Sequence, residues 1–263
     1  MEKTVLLTDM TWPEVKARLP KVRLAILPTG SMEQHGPHLT FETDIAIATE
    51  LARRLALQHY PQAVVAPPLP VGMSNHHMNF PGTITWRYDT FMACLEDTIR
   101  ALAEHGITRF LILNGHGGNR AAITVLSSQL RYEDDLLVAC CTWFELVREM
   151  CHKFIPKRRV HADEIEAAMG LYLAPRIVRT AALTKGAAQP DPYPFTDPGT
   201  GGGFEVPYRW EELTPNGAYG DARRATVAMG QELTAGFLKR AGEFVESFIA
   251  NRPRKGTKKK IVN

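Results

Sequence analysis

Within twelve residues, the stretch from Glu33 to Asp44 holds two carboxylates and two imidazoles: Glu33, His35, His38 and Asp44. Glu33 and His35 are two apart, a spacing that sends both side chains to one side of an extended backbone. Asp44, nine residues beyond His35, can return to the same point as a helix begins. Imidazole combined with carboxylates suits zinc, manganese or iron(II), rather than copper(I) or an iron–sulfur cluster. Blander readings stand beside this one: Asp44 as a helix cap, and His38 as a group that satisfies a turn. A second cluster, Asn114-Gly-His-Gly-Gly-Asn119, places His116 between glycines. A phosphate cradle is the competing reading, but the run lacks a lysine and the G-x-G-x-x-G spacing. His116 is better explained as a metal ligand, with Asn114 and Asn119 fixing the turn or supporting ligands. The third cluster is His161-Ala-Asp-Glu-Ile-Glu166. Acids at a helix start gain about 0.3–1 kcal/mol from the helix dipole, which accounts for Asp163 and Glu164 without function. The dipole disfavours a protonated His161 there, so a neutral or acid/base histidine suits the position.

These clusters need elements to hold them. The apolar run Val22–Leu27 reads as a buried strand, and apolar spacing predicts a helix over 45–58. Thr11 reads as the cap of a short helix reaching Leu19, with Pro13 in its first turn. Ala63–Ala66 reads as a strand and 70–87 as a polar loop. One apolar face from Tyr88 to His105, stopped by Gly106, predicts a helix. Thr108–Leu113 is the clearest strand and runs directly into the second cluster. A helix over about 120–132 and a strand over Leu136–Trp143 follow. Residues 145–160 give no clear pattern, with a break at Pro156–Arg159. His161–Ala174 reads as a helix after its first turn, ended by Pro175, and a last helix runs from Asp221 to about Ala250. Between them, 185–218 is rich in glycine and proline, with Gly-Thr-Gly-Gly-Gly at 199–203. Its aromatics (Tyr193, Phe195, Phe204, Tyr208, Trp210) favour an ordered cover over a disordered connector. Alternating strands and helices predict an α/β fold, a three-layer α/β/α sandwich around a mainly parallel sheet. The ligands fall at strand ends, where open α/β sheets keep their sites.

Composition narrows the class. The 263 residues are 44% hydrophobic, enough to bury a full core. We expect a single domain over 1–250 and a basic, disordered tail over 251–263. Net charge is +3, and setting aside the tail's six basic residues leaves the body at −3. That balance argues against a nucleic-acid-binding face. There is no apolar run of 18 residues to span a membrane and no long apolar stretch of a secretory signal, so a cytoplasmic protein is expected. Cys94, Cys140, Cys141 and Cys151 lack C-x-x-C spacing and read as reduced thiols, with Cys140 and Cys141 as packing residues.

The segment Leu27-Pro-Thr-Gly-Ser-Met-Glu-Gln-His-Gly-Pro-His-Leu, with Asp44, resembles the opening motif of the creatininase (creatinine amidohydrolase) family. Ser74-x-x-His77-x-x-Phe80-Pro-Gly-Thr83, Asn114-Gly-His-Gly-Gly-Asn119, His161-Ala-x-x-x-Glu166 and Gly217-x-Tyr-Gly-Asp221 resemble its other signatures in the same order. The resemblance implies a three-layer metal-dependent hydrolase, a homohexamer with two divalent ions per site, zinc or manganese with iron possible. Carried over, Glu33 and His116 hold one ion, His35 the other, and Asp44 bridges. His161 becomes the acid/base group, and Ser74, His77, Gly117 and Gly118 face the substrate. One departure stands out. True creatininases carry a Tyr-Glu pair after the histidine of the third motif, where this chain has Gly117-Gly118. Glu166 is the candidate to replace that ligand and catalytic carboxylate, with Glu164 behind it. The expected reaction is hydrolysis of a C–N bond in a small cyclic or linear amide by a metal-bound hydroxide, with creatinine itself disfavoured. The alternatives are ring-opening or C–C hydrolysis of a cyclic keto-sugar, or a peptidase or deformylase acting on a modified peptide or formamide. A non-catalytic metal-binding protein fits poorly with His161 beside four ligands.

Overall fold

The computed structural model describes residues 3–155, 161–190, 193–194, 196, 203–204 and 206–251. Among them, strands β1 (Leu24–Thr29), β2 (Ala63–Val65), β3 (Arg109–Asn114) and β4 (Leu137–Thr142) form one parallel sheet in the order β2-β1-β3-β4. Helices α1 (Trp12–Arg18), α2 (Thr43–Gln58), α3 (Tyr88–Glu104) and α4 (Arg120–Asp134) alternate with the strands. After β4 come the single turns α5 (Trp143–Leu146) and α6 (Arg148–Cys151), then α7 (Glu164–Leu173), the turn α8 (Trp210–Leu213) and the long α9 (Val227–Ala250).

Strand alternation sorts the core into two layers. Leu24 and Ile26 of β1 face a cluster with Leu51 and Leu55 of α2, Met169 of α7 and Phe237 of α9. Ala25 and Leu27 face the opposite cluster, with Phe91 and Leu95 of α3 and Ile123 and Leu126 of α4. A strand covered on both faces reads as an unbroken apolar run, as β1 does. Each such leucine, isoleucine or phenylalanine contributes about 1.5–3 kcal/mol on full burial. Pro28 is tolerated in β1 because its nitrogen faces the β2 side, where pairing ends at Ile26 opposite Val65.

The boundaries differ from the sequence reading where capping decides. The segment from Asp221 begins with a 3-10 turn, and α9 starts only at Val227, where Thr226 Oγ1 accepts the Met229 N–H at 3.1 Å. Likewise α7 starts at Glu164, because Asp163 Oδ1 accepts the Ile165 and Glu166 N–H groups, both at 2.9 Å. Cys140 corrects the packing expectation: β4 ends the sheet, and Cys140 is exposed while Cys141 is half-buried. Residues 145–151, unread in the sequence, form α5 and α6. The break at 156–159, Phe195, the run 199–202 and the tail from 252 lie outside the described residues. In the 185–218 stretch Trp210 and Leu213 are buried with Tyr219, whereas Tyr193 and Phe204 are exposed. Among the described residues, no helix is long and apolar enough to cross a membrane.

The chain leaves β1 toward β2 on one side and returns to β3 on the other, so strand order reverses between β1 and β3. A crevice opens at the carboxyl ends of strands at such a switch point. Both ligand loops leave there. Gly115 marks the crossing: its N–H donates to Thr29 O at 2.7 Å, and a Cβ on it would overlap the backbone oxygen of Asp44. Gly115→Ala is expected to destabilise the protein by about 1–3 kcal/mol through that overlap. A thermal melt checks it, and an unchanged midpoint would show that the loop yields freely.

Candidate metal centre and active site

Two asparagines fix the loops before any ligand is considered. Asn119 Nδ2 donates to Gly30 O at 3.0 Å and its Oδ1 accepts the Met73 N–H at 3.0 Å, tying the β1 loop to the 70–77 loop. Asn114 Nδ2 donates to His116 O at 2.5 Å, and its Oδ1 accepts the His116 N–H at 3.2 Å. These bonds turn the chain so that the His116 ring points back across the crevice.

Glu33, His35, Asp44 and His116 are all buried and converge. His116 Nδ1 lies 3.1 Å from Glu33 Oε2 and 3.4 Å from Asp44 Oδ2. His35 Nε2 lies 3.1 Å from Asp44 Oδ1, 3.8 Å from Glu166 Oε2 and 4.0 Å from Glu33 Oε1. Asp44 therefore stands between the two histidines, one oxygen toward each. The outer nitrogens are tied to carbonyls: His35 Nδ1 to Glu33 O at 3.2 Å and His116 Nε2 to Met73 O at 3.1 Å. Donating outward leaves each inner nitrogen with a lone pair for a metal.

The residues fit a metal. His35 Nε2 and Asp44 Oδ2 are buried without a hydrogen-bond partner, an arrangement that is costly unless a cation joins them. Burial works to lower the His35 pKa, but Asp44, Glu166 and Glu33 outweigh it and push it up to about 10. His116 is raised in the same way, against its burial, by Glu33 and Asp44. Burial would raise the Glu33 pKa, yet His116 and His77 hold it well below the usual carboxylate range. A nest of acids that draws protons onto imidazoles is one in which a divalent ion replaces those protons. Glu33, His35 and Asp44 present ligand atoms within 4.8 Å of one another, as do His35, His161 and Glu166.

The two candidate acids of α7 part company. Glu164 Oε2 accepts the Asp221 N–H at 2.8 Å and its Oε1 lies 3.4 Å from Arg224 Nη1, away from the crevice. Glu166 Oε2 faces His35 while accepting the Ala162 N–H at 2.6 Å. Burial, with Asp163 and Asp44 nearby, raises its pKa against the pull of His35. His38 stays outside the ligand groups: its Nε2 donates to Ala162 O at 3.1 Å, pinning the loop to the start of α7.

His161 Nε2 lies 2.8 Å from Gln34 O and its Nδ1 3.6 Å from Glu33 Oε1. Burial, reinforced by His35 and His77, keeps its pKa well below the usual value, so the ring is neutral. His77 Nε2 lies 3.5 Å from Glu33 Oε1. Ser74 Oγ donates to Glu33 Oε2 and also meets Ser31 Oγ, so it holds the ligand carboxylate from beneath. Gly117 is exposed at the rim. At Gly118 a Cβ would come within 2.5 Å of both Met73 O and His116 Nε2.

Sequence reasoning gave no role to His76 or Gln34, and placed Trp210 only within the expected cover over 185–218. His76 stacks on His116 with ring centroids 5.5 Å apart. Trp210 covers both His77 and His161, each at 4.8 Å. The signals were the His76-His77 pair and the aromatics of the 185–218 stretch. Gln34 carried none, being a polar residue between two ligands.

Along most of its length the chain resembles proteins of one family. The family profile described as creatininase, creatinine amidohydrolase, covers residues 8–245. The mycofactocin precursor peptide peptidase of Mycolicibacterium smegmatis is 31% identical over 237 residues, 88% of this chain and 87% of that protein. The creatinine amidohydrolase of Pseudomonas putida is 30% identical over 161 residues, 57% of this chain and 61% of that protein. Among solved structures, a Bacteroides fragilis protein assigned as a creatinine amidohydrolase has a TM-score of 0.83 at 27% identity, covering 97% of this chain and all of that one. Creatininase in a manganese form and a variant in a Zn–Zn form match with TM-scores of 0.78 and 0.77, each at 25% identity over 95% of this chain and all of theirs. The chain belongs to the creatininase family. It is a hydrolase acting on carbon–nitrogen bonds.

Proposed function

We propose that the protein hydrolyses the C–N bond of a small linear or cyclic amide, using about two divalent ions, zinc or manganese. The observation that carries this reading is the convergence of Glu33, His35, Asp44, His116 and Glu166, with the free Nδ1 of a neutral His161 on the same side. Glu33, Asp44 and His116 would hold one ion, and His35, Asp44 and Glu166 the other. When bound, the ions would polarise the amide carbonyl and lower the pKa of a bound water. His161 Nδ1 would take up a proton and deliver it to the leaving nitrogen, while its Nε2–H stays on Gln34 O. Trp210 would shut water out from above the two histidines. The family resemblance supports the expected homohexamer, and the body's charge balance supports the expected absence of a nucleic-acid partner.

Creatinine is expected to be turned over poorly or not at all, because Gly118 stands where a creatininase has its glutamate and the space beside it is filled by Met73 O and His116. An assay with creatinine in zinc and in manganese decides this. Turnover at ordinary enzyme rates, about 1–10³ per second, would mean that Glu166 fully replaces that group. A second reading, cleavage of a modified peptide, is supported by the 31% identity to a peptide peptidase along nearly the whole chain. An open groove lined by Asn75, Thr85, Trp86, Arg87, Tyr88 and Asp89 offers room for an extended chain.

A further inference from the structure

Gln34 lies between the ligands Glu33 and His35, yet its side chain turns away from them. Its Oε1 accepts the Gly36 N–H at 2.8 Å, and its Nε2 lies 3.2 Å from Gly217 O. Flipping the amide would set NH₂ against an N–H and oxygen against a carbonyl, so its orientation is fixed by backbone on both sides. The same Nε2 lies 3.0 Å from His77 Nδ1 and 2.9 Å from His161 Nε2.

An amide nitrogen has two hydrogens and no lone pair to offer, so these neighbours cannot all be served alike. His161 Nε2 is also 2.8 Å from Gln34 O, a pure acceptor, so His161 carries its hydrogen on Nε2 and donates it there. The Gln34 hydrogens then go to Gly217 O and to His77 Nδ1. His77 Nδ1 is an acceptor, and the hydrogen of its neutral ring sits on Nε2, the atom 3.5 Å from Glu33 Oε1. His161 turns the opposite character to that oxygen, an unprotonated Nδ1 at 3.6 Å.

We propose that Gln34 is the positioning residue that divides two adjacent histidines into a donor and an acceptor, His77 presenting Nε2–H and His161 a bare Nδ1 to the same side of the site. The inference rests on the amide-hydrolase reading for its purpose: a hydrogen bond from His77 to the oxygen where negative charge develops, beside a base in His161. It also keeps His77 from serving as a further metal ligand, since the nitrogen that faces Glu33 holds a hydrogen.

The test reads nitrogen protonation directly. Zinc-loaded protein carrying ¹⁵N-histidine, with His77 and His161 assigned from His77→Asn and His161→Asn controls, is examined by long-range ¹H–¹⁵N correlation at neutral pH. In the wild type both rings are expected to show the Nε2–H pattern. In Gln34→Glu the carboxylate still faces His77 Nδ1 but accepts, so His77 should move to the Nδ1–H pattern while His161 stays on Gln34 O. An Nδ1–H pattern for His77 in the wild type would overturn the proposal, as would an unmoved His77 in Gln34→Glu. Should that variant not fold, the uncharged Gln34→Met serves: loss of the single Nε2–H pattern supports the assignment, and its retention refutes it. The hydrolase reading fails separately, through absent ions or absent amide hydrolysis, because the ring patterns are read without turnover.

Discussion

His161→Ala is expected to keep its ions and its fold while hydrolysis of its amide substrate falls by about 10²–10⁴. The reason lies in the division of atoms around Glu33. Five other side chains already present ligand atoms, and two ions must keep open positions for water and substrate. His161 is neutral, buried and aimed with Nδ1 into the same space, the state a proton carrier needs before the leaving nitrogen departs. Elemental analysis beside kinetics separates the readings. Because His161, His35 and Glu166 also lie within ligand distance of one another, a variant that sheds an ion would make His161 a ligand and remove Glu166 from its place. A variant unchanged in both rate and ions would make the histidine structural.

Asp44→Ala should strike the metals themselves, with ion content falling from about two per chain to well below one and hydrolysis falling with it. Glu33 also reaches both candidate histidines, but it lies 4.0 Å from His35, whereas Asp44 approaches both within 3.4 Å. The Asp44 oxygens lie 3.1 Å from His35 and 3.4 Å from His116, and the second has no hydrogen-bond partner. A carboxylate shared by both ions would on removal weaken the hold on both, and its loss leaves His35 without the neighbour that does most to raise its pKa. Metal analysis of freshly purified wild type and variant gives the answer. Undiminished content in the variant would strike Asp44 from the bridge and leave Glu33 to serve alone.

Much of this was legible in the chain because its physics is local. The apolar runs of β1 and β3 are buried on both faces, and such strands declare themselves. The glycines and ligands that follow them sit where parallel strands open. What the sequence concealed was in part the choice of capping residue, and otherwise depended on partners distant along the chain. Asp221 looks like a helix start until Thr226 is seen capping α9. Cys140 looks like core until β4 proves to be the last strand. Glu164 and Glu166 are two apart and chemically alike, and only the bond from the Asp221 N–H to Glu164 separates them. Gln34 is the deepest case: its role comes from Gly217 and His77, neither of which its own neighbourhood suggests.

The crowding at Gly118 bears on how such enzymes can change by mutation. A side chain there would meet the His116 ring and the carbonyl of Met73 alike, and no substitution at position 118 can move that carbonyl. A glutamate at that point requires the 70–77 loop to shift as well, and that loop is held by Asn119. A laboratory selection for creatinine hydrolysis starting from this chain should therefore yield paired changes at 118 and in the 70–77 loop before any single one.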